Sequence, residues 1–378
     1  MSKETFTVTV HVHNNSESFI GETCYLASNV HRWQADGLPI GAIPTVGENL
    51  QVTLNNIPAG ELELKLTRGS WETLHCGQDG HLLPAHEITV QQDSEVHMHI
   101  DAWRDEFSAS TASPQVSVLD ERFYFPRLNV YRKIWLYLPQ DYYTSGKRYP
   151  VLYMHDGQHL FDEAFAVGRS GPVEWMVDET IDSSAQACIV IGIEHPTEFS
   201  EREKQYIVHP YKGIEQSLGW SYLQDIVEVV KAYVDNNFRT LQDREHTGMV
   251  GSSLGGLLSL YAGLQYPEHF GVLGVFSPSI WVGKDELHHF FAQAVERHSH
   301  LLKQQRYYFY AGEKEIKRMG QGEYASLSKD MQEFIQFADS AVALDKAVDI
   351  DPKGKHGAFY WQGAFRRFYA GLPKEFFN

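Results

Sequence analysis

The segment TGMVGSSLGGLLSLYAGLQ, residues 247–265, decides the fold of this chain because it joins two structural patterns at a glycine-crowded bend. TGMVG is a short apolar run typical of a buried strand, and LGGLLSLYAGLQ is typical of a helix that stops before Pro267. A Gly-x-Ser-x-Gly motif, Gly251 to Gly255, lies between them. A serine on a strained strand-to-helix turn needs small neighbours because the adjoining chain passes very close. The segment therefore predicts a nucleophile elbow.

Ser253 is the candidate nucleophile, because it alone has glycines two residues before and two residues after it. Ser252 is expected to pack away from the site. The turn also directs the amide of Leu254, at the start of the predicted helix, toward any oxyanion beside Ser253. A phosphate-binding loop is the alternative interpretation. The glycines are not followed by Lys-Ser/Thr and do not have GxGxxG spacing, so the elbow is favoured.

The partners of this serine are expected further along the chain, in the order acid and then histidine. His356 follows an apparent last strand, AVDID, in a PKGKHG loop; a surface histidine is the alternative. Glu313 and Glu315 follow the strand RYYFYAG, and in an extended loop they would face opposite ways, so only one of them can orient His356. Spacing alone does not choose between them. A second oxyanion donor is expected at the backbone amide of Gln158, in the loop after a strand that ends at Met154, and Asp156 in the same loop is interpreted as structural.

The rest of the C-terminal region alternates strand and helix in the same way. Short apolar runs such as KIWLYLP, CIVIGIEH and GVLGVFSP are typical of strands buried on both faces. Residues 221–238 have apolar positions at three- and four-residue spacing, which predicts a helix. Alternating strands and helices predict a mainly parallel sheet with helices on both faces, the α/β-hydrolase fold class.

The N-terminal region has period two instead. FTVTVHVH, ELELKL and EVHMHI alternate apolar and polar residues, and turn-forming clusters separate them, which predicts an antiparallel β-sandwich. The region RDEFSASTASPQVSV is rich in Ser, Ala and Thr and is typical of a linker. We therefore predict an all-β sandwich over residues 1–104, a linker over 105–116 and an α/β-hydrolase domain over 117–378.

Two pairs of histidines lie on the polar faces of these predicted strands. They are His11 and His13 in HVH, and His97 and His99 in HMH. Two histidines on one face could bind zinc, but the sequence favours solvated side chains. No metal and no organic cofactor are expected.

The composition excludes several kinds of partner. The formal net charge of −17 over 378 residues argues against a nucleic-acid partner, which requires a basic surface. No run is long enough for a membrane-spanning helix, and the start MSKETFTVTVHVH has no features of a secretory signal, so we expect a cytoplasmic location.

Cys24, Cys76 and Cys188 are odd in number and far apart, so we expect reduced thiols. The oligomeric state is not indicated.

Three separated segments carry a family resemblance. IWLYLPQDYYTSGKRYPVLYMHDGQHLFD, VDNNFRTLQDREHTGMVGSSLGGLLSLYAGLQYPEHFGVLGVFSPSIW and GKHGAFYW resemble, in order, the esterase family that includes esterase D and the enterochelin esterases. The resemblance covers residues 117–378. It implies a serine carboxylic-ester hydrolase with a small-molecule ester substrate, which could be aromatic, siderophore-type or carbohydrate-linked. YLASNVHRWQADG and LKLTRGSWETL resemble early-set and starch-binding-like sandwich modules. This resemblance implies an immunoglobulin-like sandwich, although sugar binding does not follow from it.

The family resemblance also assigns residues. A Gly-Thr-Lys-Glu motif that supplies the acid corresponds to residues 312–315 and so selects Glu315, a Gly-x-His motif corresponds to His356, and the family's Gln corresponds to Gln158. Two positions depart from the family pattern, since His159 replaces a common Asn and Gln205 a common Glu, which puts inherited substrate assignments in doubt. Arg202, which begins the family's Arg-x-x-Glu-Tyr motif, is a candidate substrate-binding residue. Trp281 and Trp361 are further candidates, and core packing explains these two tryptophans at least as well.

Two other functions remain open from the sequence. A non-catalytic carbohydrate-binding protein on a hydrolase scaffold is suggested by Trp33 and Trp71 in the sandwich region. The complete Ser-acid-His order counts against it. An acyltransferase would use the same serine, and only the acceptor would differ.

Overall fold

The computed structural model describes residues 5–108, 110–166, 173–320 and 323–378. Residues 1–4, at the start from which we expected no secretory signal, and Ala109 of the predicted linker lie outside the described residues. The chain divides into two compact units. Unit 1 runs to Thr111 and includes the described part of the segment Glu163–Val173, and unit 2 comprises Ala112–Asp162 and Glu174–Asn378. The sequence did not predict that the segment after Asp162 belongs to unit 1.

Unit 1 consists of strands and short turns. Its strands are β1 (Thr5–Asn14), β2 (Thr23–Ser28), β3 (Leu38–Ala42), β4 (Asn49–Pro58), β5 (Gly60–Thr67), β6 (His75–Cys76), β7 (His86–Val90), β8 (Ser94–Ile100) and β9 (Ala102–Trp103). They form a sheet of order β4-β1-β8, a sheet of order β3-β2-β5-β7 and the pair β6-β9. β1 and β8 pair in parallel, whereas antiparallel pairing was predicted, because period two indicates a strand but not its direction.

The alternating pattern of the N-terminal strands reappears as alternating burial. Val8, Val10 and Val12 of β1 are fully buried, and the residues between them face outward. These valines share one hydrophobic cluster with residues of the other large sheet, such as Leu64 of β5. Arg104 ties in the segment after Asp162, since its Nε donates to Glu163 Oε2 at 2.7 Å. The unit is therefore strand-rich with a core of its own, and the immunoglobulin-like topology stays a prediction.

Unit 2 is built on a large sheet. Its strands are β10 (Val116–Phe125), β11 (Val130–Tyr137), β12 (Val151–His155), β13 (Ile189–Ile193), β14 (Thr247–Ser252), β15 (Val272–Phe276), β16 (Arg306–Gly312), β17 (Ile316–Gly320), β18 (Glu323–Ser326) and β19 (Asp345–Asp351). Eight of them form one sheet of order β10-β11-β13-β12-β14-β15-β16-β19, and β17 and β18 form a separate antiparallel pair. The six strands from β13 to β19 in this order pair in parallel, as predicted.

Helices cover both faces of this sheet. They are α1 (Val177–Asp182), α2 (Phe199–Tyr206), α3 (Gly219–Asp225), α4 (Ala232–Asn237), α5 (Leu254–Gln265), α6 (Lys284–Leu302), α7 (Leu327–Ala341), α8 (Ala358–Ala370) and α9 (Lys374–Phe377). A π-helical segment, Ile226–Lys231, joins α3 to α4 at the place of the helix predicted over residues 221–238. Successive residues of β12 belong to different hydrophobic clusters, one on each face of the sheet. Tyr153 packs in a cluster with residues of α3–α7, and Met154 packs in a cluster with residues of α1 and α8.

Two absences can be reported for the described parts of the chain. Among the described helices, none is long and apolar enough to cross a membrane. Cys24, Cys76 and Cys188 are all described, and each is a free, buried thiol, as predicted.

Helix α5 lies against the middle of the sheet and is buried at every residue except Gln265. The approach is closest at Gly256, where a Cβ atom would lie 2.5 Å from the carbonyl oxygen of Phe276 at the end of β15. Only a residue without a side chain fits there without moving the backbone.

We predict that Gly256→Ala lowers the free energy of unfolding by about 1–3 kcal/mol, because the added methyl group has no room. Gly146→Ala is the matched control, since a Cβ there would meet no heavy atom within 4 Å. Urea unfolding followed by circular dichroism measures both variants. Alanine is the better helix former, so a Gly256→Ala protein as stable as the wild type would contradict the packing argument.

Candidate active site

The turn between β14 and α5 holds Ser253 in an uncommon backbone conformation. Its φ of 57° and ψ of −120° lie where side-chain-bearing residues are rarely found. Its amide donates to the carbonyl of Phe276 at 2.9 Å, and its own carbonyl accepts from the amide of Ser279 at 3.0 Å. Both hydrogen bonds come from the chain at and after β15, so the strained residue is fixed on both sides.

Ser253, His356 and Glu315 form a hydrogen-bonded chain. The Oγ atom of Ser253 lies 3.1 Å from Nε2 of His356, and Nδ1 of the same ring lies 2.8 Å from Oε2 of Glu315. Ser253 is half-buried and Glu315 is buried, whereas Glu313 is exposed. The structure thus brings together three of the residues singled out in the sequence, and Glu313 does not join them.

The loops that carry the acid and the histidine are joined by backbone contacts. The amide of Glu313 donates to Asp351 O at 2.9 Å, and that of Lys314 donates to Gly354 O at 3.1 Å. A Cβ atom on Gly312 would lie 2.2 Å from the Gly354 oxygen. Gly312 and Gly354 have no side chains and therefore permit this close approach, which holds the loops of Glu315 and His356 at the same edge of the sheet.

The second carboxylate oxygen of Glu315 takes part in a hydrogen-bond network that the sequence did not predict. Its Oε1 accepts from the amide of Gly312 at 2.8 Å and from Ser277 Oγ at 2.7 Å. Ser277 Oγ accepts in turn from Nε1 of Trp361 at 2.9 Å. The Trp361 ring stands edge-on to His356, with centroids 5.0 Å apart. The only available signal was the position of Ser277 directly after a buried strand.

The candidate oxyanion donors come from neighbouring strands. β12 and β14 pair in parallel, and Met154 lies opposite Val250, so the loop that carries Gln158 and the turn that precedes Leu254 leave the sheet side by side. The Gln158 side chain accepts from the amide of His195 at 3.2 Å. Leu254 is the first residue of α5, where amides have no partner within the helix. An oxyanion role for these two amides stays a prediction.

Asp156 binds Arg202 in a buried bidentate ion pair. Arg202 Nε and Nη2 donate to the two carboxylate oxygens at 2.8 and 2.7 Å, and both residues are 8% exposed. Burial alone would raise the pKa of Asp156, but the guanidinium charge and its hydrogen bonds hold that pKa well below its usual value. The positive charge of Arg202 thereby balances the negative charge of Asp156 beside the elbow. The structural role predicted for Asp156 is thus an ion pair with Arg202, which the sequence did not suggest.

A second histidine lies under the elbow. A Cβ atom added to Gly251 would lie 2.8 Å from Cδ2 of His155, whose Nδ1 is 3.2 Å from the hydroxyl of Tyr222. Burial lowers the pKa of His155 to about 4, so its imidazole is neutral at pH 7. It packs behind the turn as an uncharged ring.

The candidate substrate residues have mixed surroundings. Arg202 forms its ion pair with Asp156 and lies over the ring of Tyr206. Trp361 donates a hydrogen bond to Ser277. Trp281 is half-buried beside Tyr211. Substrate binding by any of the three stays a prediction.

The family departures His159 and Gln205 both have polar partners. His159 Nε2 lies 3.3 Å from His195 Nε2, and Gln205 Oε1 accepts from Arg132. Two groups of described residues have the spacing of metal ligands, and neither includes Ser253, Glu315 or His356.

Comparison with known proteins gives a family match over most of unit 2. Residues 126–371 match the model of a family described as "Putative esterase". The uncharacterized protein YbbA of Bacillus subtilis is 30% identical over 156 residues, which are 40% of this chain and 58% of that protein. The chain therefore spans less than two thirds of this relative's length.

Solved structures show the fold. An enterobactin esterase FES from Shigella flexneri aligns with a TM-score of 0.53 and 15% identity, covering 96% of this chain and 92% of that chain. A ferulic acid esterase aligns with a TM-score of 0.52 and 19% identity, covering 69% of this chain and 98% of that chain. At these identities the likeness establishes an α/β-hydrolase fold.

We predict that Arg202→Met lowers the free energy of unfolding at pH 7 by about 3–5 kcal/mol, because it leaves the buried Asp156 carboxylate unpaired. The double variant Asp156→Asn/Arg202→Met should lose less, since no charge then remains unpaired. Urea unfolding of the two variants and the wild type provides the comparison. Equal losses in both would contradict the argument that the unpaired Asp156 carboxylate causes the loss of stability.

The same pair predicts a pH dependence. The folded-state pKa of Asp156 lies below its unfolded value of about 3.9, so its contribution is present above that value and is lost as the pH falls through the folded-state pKa. The stability gap between wild type and Arg202→Met should shrink in acid. A gap that widens below pH 4 would contradict this.

Proposed function

Because this chain belongs to the esterase family, we propose that it hydrolyses carboxylic esters through a covalent acyl-enzyme formed on Ser253. Family membership supports ester hydrolysis in general. The observation that carries the serine mechanism is the hydrogen-bonded chain from Ser253 through His356 to Glu315, with distances of 3.1 and 2.8 Å.

The first half of the reaction forms the acyl-enzyme. His356 Nε2 takes the proton of Ser253 Oγ as this oxygen attacks the ester carbonyl, and the amides of Leu254 and Gln158 receive the oxyanion. Glu315 keeps the proton on Nδ1 of His356 and stabilises the imidazolium that forms. His356 then gives its proton to the leaving alcohol, and the C–O bond of the ester breaks.

The second half releases the acid. Water attacks the acyl group while His356 takes its proton. The tetrahedral intermediate then collapses, the bond between the acyl carbon and Ser253 Oγ breaks, and His356 returns the proton to that oxygen. The bonds of Glu315 to Gly312 and Ser277 support this role because they leave one carboxylate oxygen fixed and the other directed at the histidine. These steps need no metal and no organic cofactor.

The substrate class is proposed from the structural relatives. Two of them are named as a ferulic acid esterase and as an enterobactin esterase. We propose an aromatic or siderophore-type ester for this chain. Initial rates on acetyl, feruloyl and trilactone esters, measured at equal concentrations, test this choice, and a clear preference for the acetyl ester would count against it.

Transfer to an acceptor other than water is the second candidate, since the acyl-enzyme is common to both reactions. Product analysis with added alcohols distinguishes an acyltransferase from a hydrolase. A purely carbohydrate-binding function is less well supported, because a binding protein does not require the hydrogen-bonded chain at Ser253.

We predict that Ser253→Ala reduces kcat on a p-nitrophenyl ester by at least about 10³-fold, because the attacking oxygen is lost. The variant should also lose covalent labelling by a fluorophosphonate. Ser252→Ala is the matched control, since Ser252 is buried and is not the elbow residue. Undiminished turnover in Ser253→Ala would reassign the nucleophile.

We predict that Glu315→Gln lowers kcat by about 10²- to 10⁴-fold, because an amide cannot hold the histidine in the required tautomer or stabilise its charge. Glu313→Gln, two residues away and exposed, should retain activity near that of the wild type. Steady-state kinetics of the two variants measure the difference. The reverse ranking would transfer the acid role to Glu313.

A further inference from the structure

Four histidines form a two-by-two array on the outer face of the sheet β4-β1-β8 in unit 1. β1 and β8 are parallel neighbours, and their register sets His11 opposite His97 and His13 opposite His99. The rings of His11 and His97 are stacked with centroids 4.8 Å apart, and those of His13 and His99 are 5.6 Å apart. Alternate residues of a strand share a face, so all four rings point the same way.

A carboxylate completes a set of three ligand groups in this array. Glu95 lies on β8 two residues before His97, and its Oε2 is 3.8 Å from Nε2 of His11. One ligand atom from each of His11, His97 and Glu95 lies within 4.8 Å of the other two. Two ligand atoms on one tetrahedral zinc ion are about 3.3 Å apart, so small side-chain rotations suffice to close the set.

The ring nitrogen that faces this space is otherwise unused. His11 Nε2 is shielded from solvent and has no hydrogen-bond partner among the described residues. His11, His97 and Met98 contribute to the lining of a surface cavity of about 370 Å³. A buried ring nitrogen without a partner loses its hydrogen bond to water, and coordination of a cation would replace it.

The neighbouring pair shows how such rings are oriented. His13 Nδ1 lies 2.7 Å from Asn49 Oδ1 on β4, so the ring donates this hydrogen and leaves Nε2 as an acceptor. Hydrogen bonds of this type fix the tautomer of metal-binding histidines.

We propose that His11, His97 and Glu95 bind one divalent transition-metal ion of the zinc class on the outer face of unit 1. Two imidazoles and a carboxylate are a donor set that suits zinc, with the fourth position left to water. The ion would connect β1 to β8, which pair directly in the sheet. His11 and His97, which lie opposite each other on these strands, are 86 residues apart in the sequence. Its binding should therefore stabilise the folded unit.

The other group with metal-ligand spacing does not carry a comparable proposal. It comprises Glu174, Asp178 and Glu179. Burial and the neighbouring Asp178 raise the pKa of Glu179 to about 9, so the Glu179 carboxyl holds a proton at pH 7.

The proposal is tested by titrating the full-length protein with zinc chloride at neutral pH, using isothermal calorimetry and competition with a chromophoric chelator. We expect one zinc ion per chain. His11→Gln and His97→Gln should each weaken binding at least tenfold, and Glu95→Gln should weaken it less. His81→Gln, a half-buried histidine of unit 1 outside the array, is the matched control and should bind as the wild type does.

Two further measurements make the outcome decisive. Zinc should raise the thermal unfolding temperature of the wild type, and a chelator should reverse the rise, which requires no variant. Turnover of a p-nitrophenyl ester should be the same in all four variants, because none of these residues belongs to the proposed active site. A wild type that binds no zinc at micromolar concentration, or a His11→Gln/His97→Gln protein that binds it equally well, would overturn the proposal.

Discussion

The structure of unit 2 depends on the close approach of backbone to backbone at the β14–α5 turn. Ser253 has an unfavourable conformation that costs about 1–3 kcal/mol, and it persists because its surroundings determine it from both sides. The chain after β15 binds its amide and its carbonyl, and Gly256 lets α5 touch the end of β15. The burial of α5 along nearly its whole length offsets the strain. A larger residue at Gly251 or Gly256 would separate these elements and release the turn.

The same constraint recurs where the other two loops meet. Gly312 and Gly354 contact each other through their backbones, and this contact brings the loop after β16 to the loop after β19. Parallel strands place all their carboxyl ends at one edge of the sheet, so loops far apart in sequence can converge there. The turn after β14 and these two loops therefore need only short extensions to bring Ser253, Glu315 and His356 within hydrogen-bond distance.

The features predicted from the sequence were those set by local pattern. The apolar runs predicted the parallel sheet, the glycines predicted the turn at Ser253, and family resemblance chose Glu315 over Glu313 where spacing could not. Contacts that depend on three-dimensional packing were not predictable. Arg202 reaches Asp156 from a helix 46 residues away, and Ser277 gains its bond to Glu315 only once β15 and β16 are adjacent. The proposed zinc site combines residues of β1 and β8, and HVH and HMH carry no information about the register that brings these residues together.

The proposed active site combines a fixed acid with an accessible base, and the chemistry requires this difference. Glu315 is 1% exposed and is held by bonds to Gly312 and Ser277, so its charge stays in one place throughout the reaction. The side chain of His356 is 41% exposed on a loop, and its ring contacts Trp361 edge-on. The imidazole must take a proton from Ser253 and then deliver it to a different oxygen, that of the leaving alcohol. Nδ1 stays bound to Glu315 while Nε2, which lies 3.1 Å from Ser253 Oγ, exchanges its proton first with that oxygen and then with the leaving alcohol.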